Sequence, residues 1–261
     1  MKTSLKTIGK VVSKTFNINI MKRSKYLELI EFSRAKKDLD FLKFYDPKTA
    51  IKILENLAAT RSQIRQDLFA LAECGFKKNG FFVEFGATNG IDLSNSYLME
   101  SQFSWRGILA EPGKNWHSQL IKNRKATIDY RCVWSKSGES LPFDECINPE
   151  LSTISAFSHL GTQKPSRNTA NIYNVDTVSL VDLLVQHKAP KNIDYLSIDT
   201  EGSEFEILKN FDFERHSIKV ITCEHNNIST NRKNIFDHLT SNGYRRKFEE
   251  LSMFDDWYVK N

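Results

Sequence analysis

The sequence predicts an α/β protein: a mostly parallel seven-stranded sheet covered by helices on both faces, with an antiparallel hairpin at one edge and helices at its N-terminal side. Three observations carry that expectation. Short apolar runs of strand length alternate with amphipathic segments of helical spacing from residue 80 to residue 241. The first run, GFFVEFGATNG at residues 80–90, ends in a turn bracketed by Gly86 and Gly90, as a strand does when it delivers the chain to a ligand at the sheet's carboxyl edge. The last two runs, GYRRKFEE and DDWYVKN, are too close together for a crossover helix, so they must pair antiparallel.

The elements follow in order. Residues 1–27 hold seven basic residues and no acid, with Lys2, Lys6, Lys10 and Lys14 in one helical sector and Leu5, Ile8, Val11, Val12 and Phe16 opposite. That segment reads either as an interfacial helix drawn to anionic lipid at the inner face of a membrane or as a frayed terminus, with Gly9 counting against a stable helix. Tyr26 to Phe44 carries mixed helical spacing. Asp46-Pro47 starts a better helix, because Pro47 suits a first turn and Ala50, Ile51, Leu54, Leu57 and Ala58 share a face. Residues 62–74 give another, with Ile64, Leu68, Leu71 and Ala72 inward, Gly75 at its end, and Gln63, Gln66 and Asp67 as its solvated face. A tail with a helical extension, residues 1–60, is thus expected before one domain of residues 61–261.

Within that domain, DLSNSYLMESQ is helix-like with Asp92 or Ser94 as cap, and GILAEP is a buried strand closed by Pro112. NWHSQLIKNR reads as helix, ATIDYRCVW as strand, and DTVSLVDLLVQH as a helix capped by Ser179. IDYLSID is a strand leading into the helical TEGSEFEILKNF, IKVITCEHN is a strand, and residues 231–241 form a helix. Asp144 to Asn174, rich in Ser, Thr and Asn, reads as a substrate lid or a long surface loop.

Charge and cysteine content exclude several classes. The net charge of +5 belongs to the tail, since the rest of the chain holds 30 basic against 32 acidic residues. This near-neutral body argues against a general phosphate-binding surface, and so against nucleic acid as a partner. Four cysteines without C-x-x-C spacing indicate reduced, buried thiols rather than a disulfide framework or zinc site. No apolar run reaches spanning length and no signal peptide is evident, so a cytoplasmic location is expected.

The strand ends supply Glu84 with Gly86 and Gly90, then Glu111, then the turn Val133–Ser137, then Asp199 with Glu201, and finally Glu224 with His225. Acids at four of these five ends would repel a polyphosphate, and neither G-x-G-x-x-G nor a P-loop occurs. S-adenosylmethionine (SAM) suits such a rim better, because its sulfonium and amino groups favour carboxylates and its ribose diol suits an acid at Glu111.

In that order SQIRQD, GFFVEFGATNG, SNSYLME, WRGILAEP, IDYLSIDTEGSEFEILKNF and VITCEHN make the chain resemble the FkbM-type SAM-dependent methyltransferases, collinearly from Ser62 to Tyr258. The resemblance implies a Rossmann-like class I methyltransferase that transfers methyl to an oxygen, often a hydroxyl of a sugar, glycan or polyketide. Carried over by position, Glu84, Gly86 and Asn89 line the methionine end of SAM, Glu111 holds the ribose, Ser135 falls near the adenine, and Asp199 is a further cofactor candidate. The family commonly shows an aspartate in the turn where this chain has Ser135 and Lys136.

A sugar hydroxyl has a very high pKa, so its methylation needs a base or a Lewis-acidic metal. His225 is the expected general base, with Asp199 as a second catalytic candidate. Asp199, Glu201 and Glu224 are candidate oxygen ligands for Mg2+ or Mn2+. Duller readings stand beside these: Glu201 as a helix cap, and Glu224 or His225 as ties between loops. Two other function classes are a noncatalytic SAM-fold binding module and a nucleic-acid methyltransferase; DNA amino-methylating enzymes carry D-P-P-Y where this chain has DTEG.

Overall fold

The computed structural model describes residues 23–160 and 168–261, so the basic, amphipathic stretch from Lys2 to Phe16 lies outside the described residues. Two compact units divide between Asp46 and Pro47. The first holds α1 (Arg23–Leu42). Among the described residues no helix is long and apolar enough to cross a membrane.

The second unit begins with α2 (Pro47–Asn56), α3 (Gln66–Glu73), β1 (Phe81–Phe85), α4 (Tyr97–Phe103), β2 (Arg106–Ala110), α5 (His117–Asn123), β3 (Thr127–Asp129) and β4 (Cys132–Trp134). It continues through β5 (Ser140–Cys146), β6 (Thr153–Ile154), β7 (Thr169–Ser179), α6 (Leu180–Gln186), β8 (Asn192–Ile198) and α7 (Glu204–Leu208). It closes with β9 (Ser217–Glu224), α8 (Ser229–Ser241), β10 (Tyr244–Lys247) and β11 (Asp255–Lys260).

Seven strands form the main sheet in the order β10-β11-β9-β8-β1-β2-β3. The five from β9 to β3 run parallel, and β11 runs antiparallel to both of its neighbours. From β1 the chain winds outward through β2 to β3, then returns to β8 on the other side of β1. The carboxyl edge between β1 and β8 is therefore the topological switch point, where such sheets bind ligands.

The closing hairpin exists, but its last strand is inserted between β9 and β10 rather than left at the edge. Burial explains this order. Asp255 to Val259 are all buried, whereas β10 carries the exposed Arg245 and tolerates an open side.

One face of the sheet is apolar. Val83 and Phe85 of β1 pack with Ile108 and Ala110, Leu196 and Ile198, and Ile221, covered by Leu183 and Leu184 of α6 and Leu208 of α7. Each such side chain contributes about 1.5–3 kcal/mol. The other face carries a polar row across the strands, because Glu84, Ser197, Thr222 and Trp257 stand in mutual register.

Helix α3 packs over that row, and here the expected solvated face is wrong. Gln66 and Asp67 are buried, at 3% and 0% exposure. The Asp67 carboxylate accepts hydrogen bonds from Thr60 Oγ1 at 2.6 Å, Ser62 Oγ at 2.6 Å and the Arg61 amide at 3.1 Å, so it folds the α2–α3 connection around itself. Phe69, next on the helix, stacks on Trp257 at 4.8 Å.

The stretch 144–174 is not one long loop. β5 pairs antiparallel with β7 from Ser140↔Asp176 to Cys146↔Thr169, and a second sheet forms in the order β4-β7-β5-β6. Its strands are largely polar and β5 contains Pro142, which argues against a strand, so they carry little alternation in sequence. The single strand expected at ATIDYRCVW is two: β3 joins the main sheet and β4 the second. At the break, Asp129 grips Arg131 at 2.6 and 2.9 Å and His187 at 2.7 Å; burial raises its pKa, but these bonds outweigh burial and hold it at about 2.

Local chemistry elsewhere follows the sequence. Ser179 caps α6 by accepting the Asp182 amide at 3.1 Å, and Ser94 Oγ accepts the Tyr97 amide at the start of α4 at 3.1 Å. Cys74, Cys132, Cys146 and Cys223 are buried free thiols.

Asp67→Ala is expected to lower the unfolding free energy by about 2–4 kcal/mol, because it strands several buried donors. Urea unfolding checks this as a drop in midpoint at constant slope; Glu55→Ala on the exposed side of α2 should stay within about 0.5 kcal/mol.

Candidate functional site

A cavity of about 380 Å3 opens at the carboxyl ends of β1, β2, β8 and β9, at the switch point. Its floor begins with Glu84. This buried carboxylate accepts hydrogen bonds from Ser94 Oγ at 3.0 Å, the Asn95 amide at 2.6 Å and Ser96 Oγ, and Arg124 stands 3.8 Å away. Its oxygens are thus filled by the chain itself, so Glu84 shapes the loop over the sheet edge.

Gly86 follows at φ 71°, where the turn crosses the end of β8. A Cβ there would lie 2.2 Å from the Asp199 carbonyl oxygen, so no other residue fits without displacing one of the two strands. Thr88 also takes a left-handed conformation, at φ 47°, which points its amide to Glu111 Oε2 at 2.8 Å. The other oxygen of Glu111 accepts the Gly113 amide at 2.8 Å, so one carboxylate joins the turns after β1 and β2. Burial pushes the Glu111 carboxyl up to about 7, against the pull of these two bonds.

Asn89 behaves otherwise. Its Oδ1 accepts the amides of Ile91 and Asp92 at 2.9 Å each, and its Nδ2 donates to Asp92 at 2.7 Å. The side chain is spent on folding the loop and does not line the cavity. Ser135, half-buried in the turn after β4, is also outside the lining; Cys132, Val133 and Phe143 form that wall instead.

At the opposite end Asp199, Glu201 and Glu224 converge, with one carboxylate oxygen from each lying within 4.8 Å of the others. Asn226 Nδ2 bridges Glu224 at 2.8 Å and Glu201 at 3.2 Å. Burial, reinforced by the charge of Glu201, raises the Asp199 pKa well above the carboxylate range; burial and the charge of Asp199 do the same to Glu224. The backbone is strained here too, since Glu201, Asn226 and Asn227 sit at φ 59°, 52° and 57°. Glu201 does not cap α7; Glu204 Oε1 accepts the amides of Thr200 at 3.1 Å and Gly202 at 2.8 Å and so holds the turn that precedes the helix.

His225 does not take the position expected of a base. It is buried outside the lining, and its Nδ1 accepts the Asn227 amide at 3.1 Å. Nε2 must then carry the proton, which it donates to the Asp255 carbonyl at 3.1 Å. With both nitrogens committed, the ring ties the end of β9 to the start of β11. Burial lowers its pKa further.

Two contributors escaped the sequence reading, and a third lies in the stretch that it reads as a substrate lid or a long surface loop. Asn95, 7% exposed, lines the floor and donates from Nδ2 to Ser197 Oγ at 2.9 Å, while its buried Oδ1 has no hydrogen-bond partner. Gln66 lines the same side and donates to Asp255 at 3.0 Å. The third is a wall from Asn148 to Ile154, where Thr153 Oγ1 donates to the Glu201 carbonyl at 3.1 Å. Behind it, Tyr173 donates to Glu145 at 3.0 Å and accepts the Lys114 amide at 3.0 Å, which clasps the second sheet to the turn after β2. Only the contact, not the residue type, marks these positions.

The chain matches the methyltransferase FkbM domain over residues 84–246. Among solved structures it is similar to the precorrin-6y C5,15-methyltransferase of Geobacter metallireducens, at 13% identity over 74% of this chain and 86% of that one, with a TM-score of 0.37. It is also similar to M. capricolum TrmK bound to S-adenosylhomocysteine, at 15% identity over 77% of this chain and 68% of that one, with a TM-score of 0.38. A fibrillarin/Nop5p complex follows at 11% identity, covering 73% and 80%, with a TM-score of 0.35. No curated protein matches. The domain match spans more than half of the chain and contains both ends of the cavity, and the chain belongs to the FkbM family of SAM-dependent methyltransferases, with their Rossmann-like class I fold.

Proposed function

We propose that the protein transfers the methyl group of SAM to a hydroxyl oxygen of a sugar, glycan or similar polyhydroxyl metabolite. One observation carries this reading: the convergence of Asp199, Glu201 and Glu224 on the cavity that Glu111 also lines. A hydroxyl must lose its proton as its oxygen attacks, and buried carboxylates that repel one another are unusually basic. Burial and mutual repulsion raise the pKa of both Asp199 and Glu224, so the ionised form of either is a stronger base than a free carboxylate toward the proton of the incoming hydroxyl. The pair replaces His225 in that role.

The residues present fit the cofactor. Gly86 lets the turn lie against the end of β8 at the cavity floor, and Glu111 offers carboxylate oxygens to a ribose diol. Cys132, Val133 and Phe143 give the apolar wall that an adenine ring would need. When bound, SAM supplies the electrophilic methyl group. The chain's own task is to align the acceptor and hold its proton. Asp199, Glu201 and Glu224 would also hold Mg2+ or Mn2+ through oxygen ligands, where the ion would lower the hydroxyl's pKa.

Glu111→Gln is expected to weaken SAM binding about tenfold or more by titration calorimetry, since it replaces one charged acceptor at the ribose position. Glu224→Gln should lower kcat by about 100-fold or more while SAM still binds. A raised pKa means that the basic form appears only as pH rises. The acidic limb of kcat/KM is therefore expected well above the ordinary carboxylate range, and a limb near pH 4 would count against the pair as base. Dialysis against EDTA, then addition of Mg2+ or Mn2+, separates the metal-free from the metal-assisted form. The proposal as a whole is lost if SAM binds and every methylated product carries the label on nitrogen or carbon.

A further inference from the structure

The cavity's charge is one-sided. Glu84, Glu111, Glu150, Asp199, Glu201 and Glu224 line it, and no lysine, arginine or histidine does among the described residues. Two cations of adjoining segments are engaged elsewhere. Arg124 lies behind Glu84 and also binds Glu100 at 3.2 Å, and Lys114 places its Nζ over the Tyr173 ring at 4.1 Å.

A second observation is independent of the carboxylates. The Asn95 Oδ1, nine-tenths buried in the floor, is an acceptor without a donor, so it too asks its ligand for an N–H or O–H. The polar end of the cavity therefore offers acceptors.

Resting on the O-methylation reading above, we propose that the acceptor comes to this site without phosphate, sulfate or carboxylate near the reacting hydroxyl. It is a neutral or amine-bearing polyol, such as a plain or amino-substituted glycan end, and not a nucleotide-activated or phosphorylated sugar. The reason is Coulombic. A phosphate in this cavity finds no lining cation to pair with it and is repelled by each carboxylate that is ionised, a penalty of about 100-fold or more in a medium of intermediate dielectric. An ammonium group at the same place is favoured, and hydroxyls donate to the carboxylates at no charge penalty.

The test uses the full chain and methyl-labelled SAM against matched probes: methyl hexosides, their 2-amino analogues, their 6-phosphates, and uridine-diphosphate-linked hexoses. The expected result is transfer to neutral or amino probes, with kcat/KM for phosphorylated and nucleotide-linked probes lower by about 100-fold. Equal or better transfer to a phosphorylated probe overturns the inference and leaves O-methylation standing. If no sugar is labelled while SAM binds, the O-methylation reading falls, and the binding arm decides the charge inference by itself. That arm titrates uridine diphosphate and inorganic phosphate into the complex with S-adenosylhomocysteine; saturable binding of either overturns the inference, and its absence supports it. Glu150→Lys, at the exposed rim, should raise the relative kcat/KM for a 6-phosphate about tenfold, and an unchanged ratio counts against the electrostatic cause.

Discussion

The buried carboxylate of Glu84 is the constraint on which the site depends. It stands in the polar row of the sheet, and the loop Ser94–Ser96 and the guanidinium of Arg124 close around it. Arg124 reaches on to the Gly90 carbonyl at 3.0 Å, so both ends of the glycine turn are tied to one ion pair. An unpaired charge at this depth would cost several kcal/mol, and that penalty fixes the path of residues 86–96. The turn in turn presents Thr88 to Glu111, and Gly86 lets it lie against Asp199. The path of the glycine turn and its close approach to the end of β8 are thus consequences of one satisfied interaction.

The sheet was legible in the sequence because its strands are short, continuous and apolar, and because acids and glycines mark where they stop. Glu84, Gly86, Glu111, Asp199, Glu201 and Glu224 could be singled out for that reason, and all six line one cavity. Asn89 and His225 misled because a polar residue at a strand end looks the same whether it faces a ligand or binds its own backbone. The direction of a side chain is set by left-handed residues such as Thr88, Asn226 and Asn227, which leave no mark in periodicity. Asp67 misled in the opposite way: a charged residue in a helix reads as solvated until its three local donors are seen. The second sheet was invisible because β5 and β7 are largely polar and alternate weakly.

Electrostatic stress and backbone strain coincide at the carboxyl ends of β8 and β9. Asp199 and Glu224 repel each other in a place poor in solvent, and Glu201, Asn226 and Asn227 hold conformations that side-chain residues avoid. Fold stability alone would favour neither. Both are what a site needs if it must present a base stronger than a free carboxylate and keep it from relaxing onto a neighbour.

The wall from Asn148 to Ile154 touches this machinery through few anchors, chiefly Thr153 on the Glu201 carbonyl, and its parent sheet through the clasp of Tyr173 and Glu145 on the turn after β2. None of the main sheet's seven strands lies in it. An insertion or replacement between β5 and β7 can therefore redraw the mouth of the cavity while the donor end stays as it is. The mouth of the cavity and the ends of the parallel strands occupy separable stretches of the chain, so a lineage can reshape the one and keep the other.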